Sequence, residues 1–411
     1  MKKTYYLCVL ALSVICVASC KKDNEPAEQG TGKDLVLTPL QQQKAAADNA
    51  FTFKLFKEAS ASNVTSKNLM LSPLSVSMAL GMTSNGSSGQ TLEAMRTALE
   101  FKGFTEEQIN TYYQHLITEL PELDPLAKVK IANSIWYRNN FTVASPFLQA
   151  NTTHYKAAVE ALDFSNPTAK DKINNWVNNQ TEGKIPAIID NIAADMVMYL
   201  INAVYFKSSW KYPFDKSKTT KGAFTLDNGN TVQADMMTAN ATMNIGNKAD
   251  ASIYELPYGN GRYSMVMILP KENNTLTSII STLDTTKWKN WTSGLNQVTN
   301  DIKMPKFKFG YDIQLKNALS NLGMGIAFSD AANLTRINAA GGLFISEVKH
   351  KTFIEVNEEG TEAVAATSVG VGAVSVPQPV VINRPFLFAI REMKTGLILF
   401  TGVVNNPLLT E

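Results

Sequence analysis

The chain holds almost no cysteine and little histidine. Its three cysteines, Cys8, Cys16 and Cys20, all fall within the first twenty residues. Everything downstream therefore lacks a thiol nucleophile, a disulfide or a cysteine-based metal site. The three histidines, His115, His154 and His350, are scattered and leave little for a triad or a zinc site. No Gly-x-Ser-x-Gly or His-Glu-x-x-His motif occurs, so a hydrolase has no recognisable machinery, and neither a metal nor a cofactor is expected. Net charge is +2 with no basic stripe, which gives no electrostatic case for nucleic acid. No internal repeat marks a solenoid or propeller.

What is present suits one large domain or two modest ones: 411 residues, 45% of them hydrophobic and only 18% charged. The start reads as a targeting segment. Lys2 and Lys3 precede an apolar stretch, Tyr5 to Ala18, too short to span a membrane comfortably. It ends in Val17-Ala18-Ser19-Cys20, which resembles the lipobox of bacterial lipoproteins. That resemblance implies a signal peptide over 1–19 and a lipidated Cys20; the plainer alternative is an ordinary cleaved signal with a coincidental cysteine. The polar, Pro- and Gly-bearing stretch from Lys21 to Leu35 reads as a flexible tether, so 20–38 is assigned to the anchor and tether. Its charged start is similar to surface-export signals on lipoproteins of some Gram-negative bacteria. The expected location is the outer membrane or cell surface, facing periplasm or exterior, with membrane contact only through Cys20.

Apolar periodicity then predicts helices over Gln41–Ser60, Pro73–Met82, Ser87–Leu99, Thr105–Leu120 and Lys170–Gln180. Ala45, Phe51, Leu55 and Phe56 are candidate core residues of the first. Strands are predicted over Lys130–Tyr137 and Met198–Phe206, the latter apolar enough for burial on both faces. Further strands are expected over Gly222–Leu226, Val232–Met237, Ala251–Leu256, Tyr263–Leu269, Asp301–Phe309, Leu343–Val356, Val380–Arg391 and Leu397–Val404. Helices crowd the first half and strands the second. That segregation points to an α+β domain over 39–411.

The least ordinary stretch runs from Asn357 to Phe386. After Glu358, Glu359 and Glu362 it carries small and β-branched residues, with no Lys, Arg or aromatic side chain until Arg384. It has strand propensity without an obvious central turn. It reads as a strand held out of a sheet.

Several blocks of the chain resemble the serpin family. They are Asn68-Leu69-Met70-Leu71-Ser72-Pro73-Leu74-Ser75, Asn202 through Trp210, Met304-Pro305-Lys306-Phe307, Phe328-Ser329-Asp330 through Leu334, and Ile382-Asn383-Arg384-Pro385-Phe386-Leu387-Phe388. The resemblance implies three β-sheets, about nine helices and an exposed reactive-centre loop, here about 358–380. It also implies a monomeric suicide-substrate inhibitor. A protease would cut the loop, and the freed segment would insert into the large sheet and trap the acyl-enzyme.

The family's spacing puts the scissile bond at Val374-Ser375, with the bonds after Val371 and Ala373 as rivals. A β-branched residue before the cut suits an elastase-like serine protease, while subtilisin-like or papain-like enzymes remain open as partners. The implied hinge comprises Glu358, Gly360, Thr361, Glu362, Ala363, Val364, Ala365 and Ala366. Strand alternation in the family's register turns Thr361, Ala363, Ala365, Thr367, Val369 and Val371 inward. Ser72, Ser75, Asn202 and His350 match the family's shutter, where strands part; Trp210, Lys306 and Glu358 match its breach, where the loop enters. One rival keeps the fold without inhibition, as a surface binding module or simple substrate, and Gly370 and Gly372 leave room for it by weakening the late strand.

Overall fold

The computed structural model describes residues 30–62, 67–272, 274–361 and 378–410. Residues 1–30 form a unit apart from 31–411. Nine α-helices occur among the described residues of the larger unit: α1 (Pro39–Ser62), α2 (Pro73–Ser84), α3 (Gly89–Ala98), α4 (Glu106–Glu119), α5 (Ser145–Tyr155), α6 (Thr168–Gln180), α7 (Leu276–Ser281), α8 (Thr285–Thr292) and α9 (Lys316–Leu319). Strands in chain order are β1 (Leu69–Leu71), β2 (Ala127–Arg138), β3 (Ala158–Leu162), β4 (Met198–Ser209), β5 (Thr220–Thr225), β6 (Thr231–Asn247), β7 (Ala251–Pro257) and β8 (Tyr263–Pro270). They continue with β9 (Asn296–Pro305), β10 (Phe307–Gln314), β11 (Lys349–Val356), β12 (Gly360–Thr361), β13 (Val380–Val381), β14 (Phe386–Glu392) and β15 (Ile398–Val404).

Local chemistry explains the helix boundaries. Pro73 occupies the first turn of α2, where its missing N–H costs nothing. Thr105 and Gln108 close a reciprocal capping box on α4. Ile173 and Val177, one turn apart on α6, bury against Trp136, Tyr199 and Ile201. Thus α6 covers one face of the sheet that holds β2 and β4. The other face of β4 belongs to the main core, where Phe206 packs edge-on against Tyr258 and Tyr263.

The strands form two hydrogen-bonded networks. One has six strands in the order β10-β11-β12-β4-β2-β3. The other has nine, in the order β1-β15-β14-β8-β7-β6-β9-β13 with β5 on β6. The expected second and third sheets are joined because β6 is long: it pairs with β5 over Thr231–Met236, with β9 over Met236–Ile245 and with β7 over Asn244–Asn247. The buried runs β8, β14 and β15 are apolar almost throughout, as interior strands require.

Four sequence expectations are corrected. Asp301–Phe309 is two strands, β9 ending at Pro305 and β10 starting at Phe307, with the Lys306 N–H between them still bonded to Asp235 O of β6. Regular pairing in Leu343–Val356 begins only at Lys349. Val380–Arg391 is interrupted ahead of Pro385, which lacks the N–H a ladder needs. The end of the assigned tether is packed: Lys33 N–H donates to Leu123 O at 2.8 Å, and Leu35 and Leu37 are buried.

Candidate functional site

At the centre of the six-stranded sheet β4 and β11 are not direct neighbours among the described residues; the two-residue β12 sits between them at one end. Gly360 and Thr361 pair antiparallel with Ser209 and Ser208 of β4, and Thr361 also pairs with Val356 of β11. Only glycine fits the first position. Gly360 has φ +154°, and a Cβ there would lie 2.1 Å from Ser208 O. Thr361 is buried on the core side, where its hydroxyl shares a 2.6 Å hydrogen bond with the Tyr258 hydroxyl. Further along β4 and β11 lies a cavity of about 350 Å³, lined by Ser75, Met198, Leu200, Asn202, Ile345 and His350 among others.

At the occupied end the chain is held by a dense set of contacts. The backbone N–H groups of Trp210 and Phe214 donate to Glu359 O and Glu358 O, each at 2.8 Å. Trp210 Nε1–H donates to Asn357 O at 3.0 Å, and the Trp210 ring stacks on Tyr258 with centroids 4.3 Å apart. Glu358 accepts from Lys306 Nζ at 3.0 Å through one carboxylate oxygen and from the Thr219 hydroxyl at 2.7 Å through the other. Burial pushes the Glu358 carboxyl up, but the Thr219 hydroxyl, a backbone N–H and Lys306 outweigh it and hold the group below its ordinary range. Lys216 pairs with Glu359 alongside. Trp210, Lys306 and Glu358 are thus brought to one place. Tyr258, Thr219 and Lys216 complete it without any signal in the sequence.

Beside the cavity lies a second polar cluster. His350 Nε2 accepts the Ser72 N–H at 2.9 Å, and the Ser72 hydroxyl donates to Leu399 O at 2.9 Å. Burial lowers the His350 pKa to about 4, so the ring is neutral with its proton on Nδ1. Ser75 reaches the Asn202 backbone carbonyl at 3.4 Å, and Asn202 Nδ2 donates to Asn133 Oδ1 at 2.7 Å. The other Asn202 amide atom, Oδ1, is buried without a partner among the described residues. Ser72 and His350 therefore touch directly, while Ser75 and Asn202 form a separate contact on the same cavity wall. Asn133 was not singled out in the sequence, because only the β2–β4 register sets it opposite Asn202.

The far end of the loop is also fixed. Asn300 Nδ2 donates to Gln378 O at 2.9 Å, and β13 pairs parallel with β9. The hinge residues Glu362, Ala363, Val364, Ala365 and Ala366, the bond Val374-Ser375 and the lipidation candidate Cys20 lie outside the described residues. Among the described residues no group of His, Cys, Asp and Glu could hold a metal ion, and no helix is long and apolar enough to cross a membrane.

The likeness to known proteins spans most of the chain. A family model described as serpin (serine protease inhibitor) matches residues 46–407. A serine protease inhibitor of Cyanea capillata is 33% identical over 350 residues, covering 83% of this chain and 93% of its own. The native-state structure of tengpin, a thermophilic serpin, superposes with a TM-score of 0.80 at 35% identity, covering 91% of this chain and 96% of that one. Human thyroxine-binding globulin, solved with its ligand, gives a TM-score of 0.81 at 29% identity, covering 90% of this chain and 100% of that one.

Proposed function

The chain belongs to the serpin family, a family of protease inhibitors rather than enzymes, and from that premise we propose that it is a suicide-substrate inhibitor of elastase-like serine proteases. The observation that carries this reading is the hinge: Gly360 and Thr361 pair between β4 and β11 as the first two positions of a central strand, and among the described residues no β4–β11 pair lies beyond them.

Extending the observed register gives the inserted state residue by residue. Ala363 falls opposite Phe206 and Ile354, Ala365 opposite Val204 and Thr352, and Thr367 opposite Asn202 and His350. Val369 and Val371 then meet Leu200 and Met198. Every inward position is small or apolar except Thr361 and Thr367. Thr361 has Tyr258 as its partner, and Thr367 would bring a hydroxyl donor to the orphaned Asn202 Oδ1. Glu362 faces outward opposite Lys207. A dozen or so new ladder bonds at ~1 kcal/mol each rival the ~5–15 kcal/mol stability of a typical domain. The uninserted protein is then kinetically trapped, and cleavage releases it.

Cleavage falls at Val374-Ser375, counted from the hinge, where valine suits a shallow specificity pocket. Subtilisin-like and papain-like proteases are further candidates for the same small-residue loop. Incubation with an elastase should give an SDS-resistant complex, a cut located by mass spectrometry at Val374-Ser375, and a sharp rise in thermal stability. A second reading, the fold without inhibition, draws on the likeness to thyroxine-binding globulin and on Gly370 and Gly372; a cleaved chain with no complex would favour it. For the N-terminus we propose lipidation at Cys20 and an outer-membrane or surface location, supported by the sequence before it. Loss of acyl labelling in Cys20→Ala tests this.

A further inference from the structure

Away from the loop and its slot, α6 and the edge strand β3 enclose an open groove of about 750 Å³. Its wall is aromatic: Trp136 and Trp176 meet edge to face with ring centroids 6.1 Å apart. Trp136 is buried and spends its indole N–H on the Ser134 hydroxyl at 2.8 Å. Trp176 is half-buried, packed against the core under α6, and its indole N–H bonds no protein group among the described residues. Along α6 the groove carries Asp171, Asn175 and Asn179, spaced four residues apart and so aligned on one face. All three are exposed, and neither amide bonds a protein group among the described residues. On the β3 side Glu160 is paired with Lys172, while Asp163 and Asp171 stand without an ion-pair partner among the described residues. Asp163 spends one oxygen, Oδ1, on the N–H and hydroxyl of Ser165.

We propose that this groove binds a neutral saccharide. A pyranose ring has apolar C–H faces that lie against an indole, and edge hydroxyls that match planar amides and carboxylates in donor and acceptor geometry. The groove offers both kinds of surface around one concavity; Glu160, Lys172, Asn166, Thr168 and Trp136 are already bonded within the protein, while Asp171, Asn175, Asn179 and the Trp176 N–H are uncommitted among the described residues. Three carboxylates, Glu160, Asp163 and Asp171, against the single lysine Lys172 leave the lining net negative, so it disfavours uronate and sulfated sugars. The chemistry is shared by free polysaccharide chains and by glycans on a protein. The proposal does not depend on the inhibitory reading, since none of these residues belongs to the strand slot or the loop.

The test is a tryptophan-fluorescence titration of the intact protein with chitotriose, cellotetraose, mannotriose and xylotetraose at millimolar concentrations. A parallel arm compares a glycosylated carrier protein with its enzymatically deglycosylated form, which separates a protein-linked source from a free one. A saturable change with at least one neutral probe is expected. It should vanish in Trp176→Ala and weaken on the order of tenfold in Asn175→Ala/Asn179→Ala, the size of one or two lost polar contacts. Thermal unfolding and protease-complex formation should match the parent protein in Asn175→Ala/Asn179→Ala, which keeps the test valid if Trp176→Ala unfolds. No response to any neutral probe, a response only to galacturonate oligomers, or binding undiminished in Asn175→Ala/Asn179→Ala would overturn the proposal.

Discussion

Two lysine–carboxylate pairs sit in opposite parts of the molecule. Lys44 and Asp48, one turn apart on α1, approach to 2.5 Å with side chains only 1% and 3% exposed. Lys306 and Glu358 meet at 3.0 Å at the loop's insertion point, where the lysine is 40% exposed and the glutamate 6%. Around the first pair Tyr113 and Ser77 donate to Asp48 Oδ1, and the Lys44 ammonium lies 4.5 Å from the Phe101 ring centroid. Burial lowers the Lys44 pKa, and Asp48 opposes that shift without cancelling it. The helical half thus locks charge inside, tying α1, α2 and α4 at one point. In the loop region only the lysine reaches solvent; the Glu358 carboxylate is nearly as buried as that of Asp48, and its charge is held by the Thr219 hydroxyl as well as by Lys306. The two pairs differ in the solvent access of the lysine, not in the burial of the carboxylate.

The contrast between the pairs breaks most readily at the buried one. Asp48→Ala leaves Lys44 charged and alone, and should cost about 3–5 kcal/mol, read as a lowered urea midpoint. The paired replacement Lys44→Met/Asp48→Leu should cost much less, because no charge remains to strand. Next comes acid. The His350 pKa is lowered to about 4 from about 6.5 unfolded, so its stabilising effect is complete above pH ~6.5 and is lost progressively as pH falls from there through the folded value. Linkage puts the loss at roughly 3 kcal/mol, seen as a slope in unfolding free energy that flattens in His350→Asn. Smaller still is Thr361→Val, which removes the Tyr258 hydrogen bond for about 1 kcal/mol and leaves insertion possible. Thr361→Arg, by contrast, should expel the hinge and turn the protein into a substrate cleaved without a complex. Last, Lys306→Met removes the half-exposed partner of a buried Glu358 carboxylate that keeps the Thr219 hydroxyl, and should cost about 1 kcal/mol; a loss as large as that of Asp48→Ala would erase the contrast between the two pairs.

Features set by local chemistry were readable in the sequence. Helix boundaries at Pro73 and Thr105, the apolar strands β8, β14 and β15, and the burial of Phe51, Leu55 and Phe56 follow from residue type and spacing. Positions that depend on distant register were not. Tyr258 meets Thr361 across more than a hundred residues, Asn133 faces Asn202 only through the β2–β4 ladder, and Thr219 gains its role from where Glu358 lands. Leu35 and Leu37 were hidden for the opposite reason. Their polar neighbours resemble a tether, and a short stretch that borrows its burial from another surface has no periodicity to betray it.

The placement of β13, β14 and β15 has a practical consequence. A cut at Val374-Ser375 would put all three on the smaller fragment, yet β14 lies between β8 and β15 inside the nine-stranded sheet, with Phe386 and Phe388 fully buried. The severed piece would stay in place as a non-covalent partner of the rest. Gel filtration or native electrophoresis would then report an intact molecule after every bond in the population had been broken, and only denaturing conditions would reveal the nick.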